Sequence, residues 1–400
     1  MKVLQINSVF QFGSTGRITE ELYLEFKEQG IMPSVICTNL EDKGNSIFKV
    51  GTTFEGKIHA LLTRISGMRG YFSYFTTLNI KRKINVINPD IIILHNLHNN
   101  YVHVPELLKF IAKKNIKTIW VLHDCWAYTG GCMHYTIYGC DKWLNGCSEC
   151  QHRREALSSW LFCPSAKLYK DRIRCFSSIP DLTIVGVSDW ITKEAKRSLL
   201  KNASKRIRRI YNWIDLDTFY PRDTTALRQE LQIPEKNLVV LGAAQIWGED
   251  KGLSHFINLA NALPDVTFLI VGKLPYPVSA NVVSIGVISD VQKLAEYYSL
   301  ADVFVNFTQQ ETFGKVTAEA MACGTPVIIN NNTACPEVVG DCGFIVDNND
   351  EPACIEAIRH IESVGKSFYS DKCVKRVNEL FSKGLIMKQW NSLLNEIYNS

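Results

Sequence analysis

Short apolar runs that alternate with helix-length stretches constrain the fold of this chain more than any other feature of its 400 residues. In the first half, runs such as Val3–Ile6 and Ile91–His95 are rich in Val, Ile and Leu. Such runs are typical of strands in a parallel sheet that is covered on both faces. A second series extends from Leu238–Ala243 to Gly343–Val346. The alternation in both halves predicts an α/β fold with two doubly wound domains.

The sequence also indicates a boundary between the two domains. The pattern is interrupted near residues 212–236, where Pro221 and Pro234 stand in a polar stretch. We expect a first domain at residues 1–212, a second at residues 213–383, and a terminal helix at residues 384–400 that packs back on the first. Ligands of such sheets bind beyond the carboxyl ends of the strands, so we expect a ligand in a cleft between two facing domains.

The charge of the chain is divided unevenly. Residues 1–210 hold 30 Lys and Arg against 17 Asp and Glu, whereas residues 211–400 hold 14 against 23. Lys193–Arg209 contains eight basic residues, and Gly56–Ile84 mixes apolar and basic residues. We expect Gly56–Ile84 to form an amphipathic helix on an anionic membrane, with a solvated basic face over an ordinary core stripe as the alternative.

Composition excludes several classes of protein. The hydrophobic share of 46% and the charged share of 21% are ordinary for a globular protein, which argues against disorder. No apolar run approaches the 18 residues that span a bilayer, and the first seven residues are too polar for a secretory signal. We therefore expect a cytoplasmic protein, peripheral on the cytoplasmic face of the membrane.

Cysteines cluster in one loop of the first half. The chain has 13 cysteines, and an odd number without a signal peptide argues against a disulfide scaffold. Within a Cys-rich loop at residues 125–163, the spacing of four of them resembles a structural zinc site. These four are Cys132, Cys140, Cys147 and Cys150. Buried free thiols or disulfides are the alternatives.

A glycine-containing turn in the second half suits an anionic ligand. A strand ends near Phe307, and a helix begins after Gly314, so the free N–H groups near Gly314, Lys315 and Val316 form an anion site suited to a diphosphate. Glu311 and Glu319 flank it and can accept hydrogen bonds from hydroxyl groups. The combination suits a nucleotide sugar, and an ordinary strand–helix unit with solvated glutamates is the alternative. Lys251, after the first strand of this half, can neutralise a leaving diphosphate.

Several ordered motifs resemble one enzyme family. Glu311-x7-Glu319, followed by Ala-Met-Ala-Cys-Gly-Thr-Pro-Val, resembles the E-x7-E signature of the retaining family 4 glycosyltransferases, which have the GT-B fold of two facing Rossmann-like domains. Segments 210–215, 300–305 and 335–340 resemble other family motifs. The resemblance implies retaining transfer of a sugar from a UDP- or GDP-sugar to a glycan acceptor. No cofactor is implied for catalysis.

The resemblance is to the bacterial cell-surface type of this family. It implies a role in the synthesis of exopolysaccharide, capsule or O-antigen, with a lipid-linked glycan as acceptor. An acceptor of that kind would explain a basic first half that meets an anionic membrane surface.

The resemblance also assigns roles to residues. Lys251 matches a family lysine that holds the donor phosphates, whereas Gln245 replaces the family arginine six residues earlier, and Arg17 or Lys315 is expected to compensate. Glu311 would orient the sugar and Glu319 the ribose. The expected catalytic residues are His123, Lys251 and Glu311. The expected donor-binding residues are Gly13, Gly16, Arg17, Gln245, Lys251, Glu311, Phe313, Gly314, Lys315, Val316 and Glu319.

Two other functions are open to a chain of this kind. A non-catalytic, zinc-containing RNA-binding or scaffold protein would explain the basic half and the cysteines, but the E-x7-E segment and the lack of an RNA-binding module argue against it. We therefore expect no nucleic-acid partner. A nucleotide-dependent oxidoreductase would need G-x-G-x-x-G after a first strand, and neither half has it.

Overall fold

Two parallel β-sheets, one in each half of the chain, organise the fold. The computed structural model describes residues 1–41, 44, 46–278, 282–348 and 350–400. The chain divides into a first unit, Met1–Ile210 with Gln389–Ser400, and a second unit, Tyr211–Lys388. Every strand pair in both sheets is parallel. The predicted α/β class is therefore confirmed.

The first unit contains a seven-stranded sheet with the order β3-β2-β1-β4-β5-β6-β7. Its strands are β1 (Lys2–Ile6), β2 (Met32–Cys37), β3 (Ile47–Lys49), β4 (Ile91–Leu94), β5 (Lys117–Leu122), β6 (Leu182–Gly186) and β7 (Arg206–Arg209). Central strands such as β4 are buried along their whole length, as expected where helices cover both faces.

The second unit contains a six-stranded sheet with the order β10-β9-β8-β11-β12-β13. Its strands are β8 (Val239–Ile246), β9 (Thr267–Lys273), β10 (Val282–Gly286), β11 (Val303–Asn306), β12 (Val327–Asn330) and β13 (Gly343–Val346). Counted from its own first strand, this order is 3-2-1-4-5-6, that of the dinucleotide-binding folds.

Helices connect and cover the strands of the first unit. They are α1 (Gly13–Glu28), α2 (Thr53–Ser66), α3 (Tyr74–Ile87), α4 (Val104–Lys113), α5 (Ser165–Ser177), α6 (Asp189–Arg197) and α7 (Leu200–Ala203). The loop after β5 has only three single 3₁₀ turns, Trp126–Tyr128, Thr136–Tyr138 and Lys142–Leu144.

The second unit has the same construction. Its helices are α8 (Thr225–Glu230), α9 (Leu253–Ala262), α10 (Val291–Leu300), α11 (Lys315–Ala322), α12 (Cys335–Val339), α13 (Glu351–Val364) and α14 (Ser367–Phe381). The last helix, α15 (Lys383–Asn399), begins in the second unit and ends in the first. Within the first unit, the Lys117 ammonium donates to the carbonyl of Ile397 at 2.7 Å.

Strand order fixes where each sheet can hold a ligand. In both sheets the chain direction of the connections reverses beside the first strand, between β1 and β4 and between β8 and β11. Loops leave this switch point in opposite directions and open a crevice beyond the carboxyl ends of the strands. The loops after these four strands are therefore the first places to look for function.

Two basic segments fold differently from the sequence expectation. Gly56–Ile84 is not one helix, because α2 ends at Ser66 and Gly67 adopts a left-handed φ of 74°. A Cβ at Gly67 would lie 2.8 Å from Pro164, so only glycine fits this turn. Lys193–Arg209 folds into α6, α7 and β7, where Arg206 pairs with Asp181 at 2.6 Å.

Candidate functional site

The switch point of the second sheet brings Lys251 and Glu311 together. Lys251 ends a 3₁₀ turn after β8, and Glu311 lies in the loop after β11. Gly252 has a φ of +75°, and a Cβ there would lie 2.5 Å from the Cβ of Phe307. Only glycine permits this approach of the two loops. The Gln309 amide, which donates to the Asp250 carbonyl at 3.1 Å, closes the contact.

The Lys251 ammonium is held by acceptors from the loop after β11. Its Nζ donates to Glu311 Oε1 at 3.2 Å and to Thr308 Oγ1 at 3.4 Å. Burial lowers the pKa of Lys251, but the Glu311 carboxylate and its hydrogen bond raise it by more, so the net shift is upward. Lys251 is therefore a permanent cation at neutral pH.

The Glu311 backbone is also fixed. Its amide donates to Thr333 Oγ1 at 2.9 Å, and its carbonyl accepts from Ala334 N at 3.3 Å. The carboxylate side chain is about one quarter exposed. A rigid, partly exposed carboxylate can accept hydrogen bonds from ligand hydroxyls without first losing its own position.

The predicted anion site lies at the start of α11, immediately after this loop. Gly314 caps the helix with a φ of +92°, and Lys315 and Val316 in its first turn are half-buried. The Asn306 side-chain amide donates to Thr317 Oγ1 at 3.0 Å, which ties the first turn to the end of β11. The N–H groups at the start of α11 and the positive end of the helix dipole favour an anion here.

Three other predicted donor-binding residues of the second unit differ in their exposure to solvent. The ring of Phe313 is buried and packs edge-on against Phe381, with ring centroids 5.3 Å apart. The Glu319 carboxylate is buried and accepts from the Tyr298 hydroxyl at 3.3 Å. Gln245 is exposed near the end of β8.

The predicted glycine-rich loop of the first unit is largely helical. Gly13 begins α1, so Gly16 and Arg17 lie in its first turns. A Cβ at Gly16 would lie 3.3 Å from the Gln11 amide nitrogen, a close approach that a side chain would strain. Arg17 is half-buried. These residues share the switch point after β1.

His123 takes part in a buried relay at the carboxyl edge of the first sheet. His95 Nδ1 lies 2.9 Å from His123 Nε2, and the two rings are stacked. His95 Nε2 lies 3.1 Å from Gln5 Oε1. The Gln5 amide nitrogen donates to the Thr19 carbonyl, which turns Oε1 toward His95. His95 therefore donates through Nε2 and accepts at Nδ1 from the Nε2–H of His123.

Both rings of this pair are neutral at physiological pH. Burial lowers the pKa of His95 well below its usual value and lowers that of His123 to about 4, although Asp124 opposes the second shift. Asp124 also faces His98, whose Nε2 lies 3.4 Å from its carboxylate. The relay fixes the tautomer of His123 and leaves Nδ1 as the acceptor atom of its ring.

The structure does not support the predicted zinc site. All 13 cysteines are free thiols, and four of them line one cavity of about 210 Å³. In the described ranges of the chain, no group of three or more His, Cys, Asp and Glu side chains is arranged to hold a metal ion. The four cysteines are Cys132, Cys140, Cys147 and Cys150.

Local contacts of these thiols give the physical reason. Cys132 Sγ donates to the His134 carbonyl at 2.5 Å, and Cys147 Sγ accepts from the Gly130 amide at 3.1 Å. Burial raises the pKa of the Cys132 thiol to about 12, and backbone groups give Cys132 and Cys147 local partners of their own. Zinc-like spacing alone was not sufficient to predict a metal centre.

The first unit also has a polar cavity of about 630 Å³. It lies beyond the carboxyl ends of β2, β3 and β4, and α2 forms one wall. Hydroxyl, amide and ammonium groups contribute to its lining, and they come from Thr38, Lys49, Thr52, Thr53, Lys57, Thr76, Asn99 and Asn100. Sequence reasoning did not find this cavity, because its residues come from four separate segments.

Sequence reasoning also missed several supporting residues. Gln5 and Thr333 hold predicted side chains in place, yet neither belongs to a recognisable motif. Gly252 and Thr308 lie in loops that the sequence singles out, but their supporting roles were not predicted. Only their position in the chain could have indicated these four residues, because all of them lie in or shortly after elements at the carboxyl edges of the two sheets.

Part of the chain matches a known family. Residues 235–363 match the family model described as Glycosyl transferases group 1. Over 180 residues the chain is 30% identical to a GDP-mannose-dependent alpha-(1-6)-phosphatidylinositol dimannoside mannosyltransferase of Mycobacterium tuberculosis (strain ATCC 25177 / H37Ra), covering 42% of this chain and 47% of that protein. Over 268 residues it is 26% identical to the WcaC protein of Escherichia coli (strain K12), a glycosyl transferase named for colanic acid biosynthesis, covering 64% of this chain and 63% of that protein. The chain thus spans about half to two thirds of the length of these relatives.

A solved structure resembles nearly the whole chain. The crystal structure of Anabaena Alr3699/HepE in complex with UDP and glucose aligns with 99% of this chain and 99% of that chain, with a TM-score of 0.66 and 16% sequence identity. At this identity the likeness shows the fold, and it confirms the predicted GT-B class with two Rossmann-like domains. Among the residues that the structure describes, no helix has the length and apolarity needed to cross a membrane.

Proposed function

We propose that this chain is a retaining glycosyltransferase that moves a sugar from a nucleotide diphosphate donor to a lipid-linked glycan in the synthesis of a surface polysaccharide. The enzyme class is supported by the match of residues 235–363 to Glycosyl transferases group 1 and by relatives that are named as glycosyltransferases. The proposed polysaccharide role is supported by the likeness to WcaC, which is named for colanic acid biosynthesis.

The observation that carries the proposal is the Lys251–Glu311 contact beside the start of α11. A cation, a carboxylate and the amino-terminal N–H groups of a helix lie at one switch point, where Rossmann-like sheets bind nucleotides. The ammonium and the N–H groups suit a diphosphate, and the carboxylate suits sugar hydroxyls. We assign the ribose to Glu319 and the phosphate-facing turn to Gly314, Lys315 and Val316.

The proposed reaction exchanges one bond at the sugar for another. The bond between the anomeric carbon and the β-phosphate oxygen breaks, and the acceptor oxygen bonds to the same face of that carbon. The acceptor proton passes to the departing phosphate, and the nucleoside diphosphate leaves with the bonding electrons. Lys251 and the α11 amides stabilise the charge that develops on the diphosphate. No metal or cofactor is needed for this step.

The first unit would supply the acceptor side. His123, fixed by His95, has a neutral ring at the carboxyl edge of the first sheet, where we assign it a contact with the donor sugar or the acceptor. Gly13, Gly16 and Arg17 would border the donor phosphates, with Arg17 replacing the cation absent at Gln245. The polar cavity beside α2 has groups that suit a phosphorylated glycan. The proposed location is the cytoplasmic face of the membrane.

A donor screen tests the proposal. Release of UDP or GDP from a panel of nucleotide sugars should single out one donor, first by slow hydrolysis and then faster with a lipid-linked acceptor. Proton NMR of the product should show the anomeric configuration of the donor. The mannosyltransferase relative is GDP-mannose-dependent by name, and the HepE structure contains UDP, so both bases belong in the panel.

A matched pair of variants tests the site. Lys251→Met should lower turnover roughly 100- to 1,000-fold, the usual cost of removing one group that stabilises transition-state charge. Lys293→Met, at an exposed lysine of α10 in the same unit, should leave turnover unchanged. Absence of release from every nucleotide sugar would refute the function, and equal activity of the two variants would refute the site.

A further inference from the structure

Helix α2 is inverted relative to an ordinary surface helix. Its buried residues are His59 and Thr63, both polar, whereas Phe54 and Leu61 are 75% and 51% exposed. At about 100° per residue, positions 54, 58, 61 and 62 form one stripe on the side of the helix away from positions 59 and 63. The helix therefore presents its apolar side to solvent.

Polar contacts explain how an inverted helix is retained. His59 Nε2 accepts from the Gly70 amide at 3.1 Å, and His59 Nδ1 lies 2.6 Å from the Ser73 hydroxyl. Glu55 accepts from the Thr76 hydroxyl of α3 at 2.5 Å. The helix is fixed through these groups, so its apolar stripe is not needed to hold it.

A second segment extends this apolar surface. Trp160, Leu161 and Phe162 are consecutive and are 48%, 62% and 60% exposed. The Trp160 amide donates to the Arg64 carbonyl at 2.6 Å, and the Leu161 amide donates to the Ile65 carbonyl at 3.3 Å. The loop is thus attached to the last turn of α2. We define the apolar face as Phe54, Ile58, Leu61 and Leu62 of α2 with Trp160, Leu161 and Phe162.

Charge identifies the occupant. Helices α2 and α3 carry five Lys and Arg against one acidic residue, Glu55, which is turned toward Thr76. Lys57 and Arg64, seven residues apart, share one flank of the stripe, and the Arg64 guanidinium lies 5.9 Å from the Trp160 ring centroid. Lys81 of α3 pairs with Glu106 at 3.1 Å, as Arg206 and Arg209 of the other basic segment pair with Asp181 and Asp189, so the charge at the flank of the stripe comes from Lys57 and Arg64.

We infer that the apolar face inserts into the interfacial region of an anionic lipid bilayer. Aromatic and aliphatic side chains on one side of a surface helix, with basic residues at its flank, are the pattern of interfacial anchors, and Trp favours the bilayer interface. Self-association through this face is less suitable, because a two-fold contact would bring the basic flanks of both copies together. The inference deepens the proposed function, since a lipid-linked acceptor lies in such a bilayer, but it rests on contacts of the first unit alone.

Vesicle sedimentation of the full chain tests the inference. The protein should sediment with vesicles of phosphatidylcholine and phosphatidylglycerol and bind vesicles of phosphatidylcholine alone far less. Trp160→Ser with Phe162→Ser should lower the partition coefficient by roughly tenfold or more. Leu24→Ser with Met32→Ser, at exposed apolar residues of α1 and β2, should leave it unchanged.

Separate readouts distinguish this inference from the proposed function. Donor hydrolysis in solution should be equal in the wild type and in Trp160→Ser with Phe162→Ser, which shows that the variant is folded. Equal partitioning of the two double variants would overturn the inference. It would also be overturned by a protein dimer that the Trp160 and Phe162 changes disrupt, without vesicle binding. Vesicle binding without any sugar transfer would support the inference while the proposed function fails.

Discussion

The Lys251–Glu311 pair allows a quantitative test of how the second unit would stabilise a leaving diphosphate. The Nζ–Oε1 distance is 3.2 Å, and with an effective dielectric constant of about 20 the Coulomb attraction is ~5 kcal/mol before desolvation is counted. The side chains are 32% and 24% exposed, so solvent screening leaves a net contribution to folding of only about 1 kcal/mol. Substitutions here should therefore change turnover far more than stability.

The perturbation is a double-mutant cycle of Lys251→Met and Glu311→Gln. The lysine change removes the cation and should lower kcat by about 100- to 1,000-fold, or ~2.7–4 kcal/mol. The glutamate change keeps the shape but removes a charged acceptor and should cost ~1.5–3 kcal/mol. If the two groups act as one unit, the double variant should lie within about tenfold of Lys251→Met, rather than at the product of both losses.

The assay is nucleoside diphosphate release at saturating donor, with thermal unfolding measured for each variant. Lys293→Met serves as the control for removal of a lysine from the same unit. The reasoning would be refuted if Lys251→Met kept more than half of the wild-type kcat, or if the two losses multiplied fully. A loss of stability well above 1 kcal/mol in either single variant would show that the pair is structural.

Three further predictions concern the relay, helix α2 and the turn at Gly252. Gln5→Glu places a carboxylate against His95, in a site that Asp124 and His98 also face. This carboxylate should raise the pKa of the His95–His123 pair by about 1–3 units from the value of about 4 at His123. The acidic limb of the kcat/KM profile should move to higher pH, whereas Gln5→Leu should lower activity without moving it, and an unmoved limb in the glutamate variant contradicts the relay. His59 is fully buried with a pKa lowered to about 4, so between pH 6.5 and pH 4 the unfolded chain binds a proton that the folded chain does not. The free energy of unfolding of the wild type should fall by about 2 kcal/mol more than that of His59→Gln from pH 7 to pH 5 in urea titrations, and equal slopes would exclude a neutral His59. Gly252→Ala forces a Cβ against Phe307 at a positive φ and should cost ~3 kcal/mol or more of stability together with transfer activity. An unchanged Tm would show that the loops can separate freely.

The central elements of both sheets could be predicted because their apolar runs have few alternatives. Strands such as Ile91–Leu94 are buried on both faces, and their uninterrupted apolar residues predict that burial. The edge strands of the first sheet, β3 and β7, could not be predicted in the same way. Arg206–Arg209 contains three arginines and was part of a predicted basic patch, yet Arg206 is neutralised by Asp181 and Glu396, which lie far away in the chain.

The candidate site was predictable in part for a similar reason. Lys251 and Glu311 each follow a strand, and adjacent parallel strands bring their following loops to one edge. Their contact depends on Gly252, whose role appears only when the neighbouring loop is in place. Among the described residues the structure gives no support to the predicted zinc site, since cysteine spacing alone does not specify how four thiols are arranged in space. The exposure of the apolar side of α2 was not predictable either, since an amphipathic pattern does not specify which side of a helix packs against the core.

The inverted helix has a consequence for how this protein can change over evolutionary time. The side chains of its apolar stripe are exposed, and the helix is held through His59, Thr63 and Glu55. Substitutions along the stripe therefore leave the core packing untouched, unlike substitutions at most apolar positions. The affinity that we infer for a lipid surface would then change one residue at a time, without passing through unstable sequences.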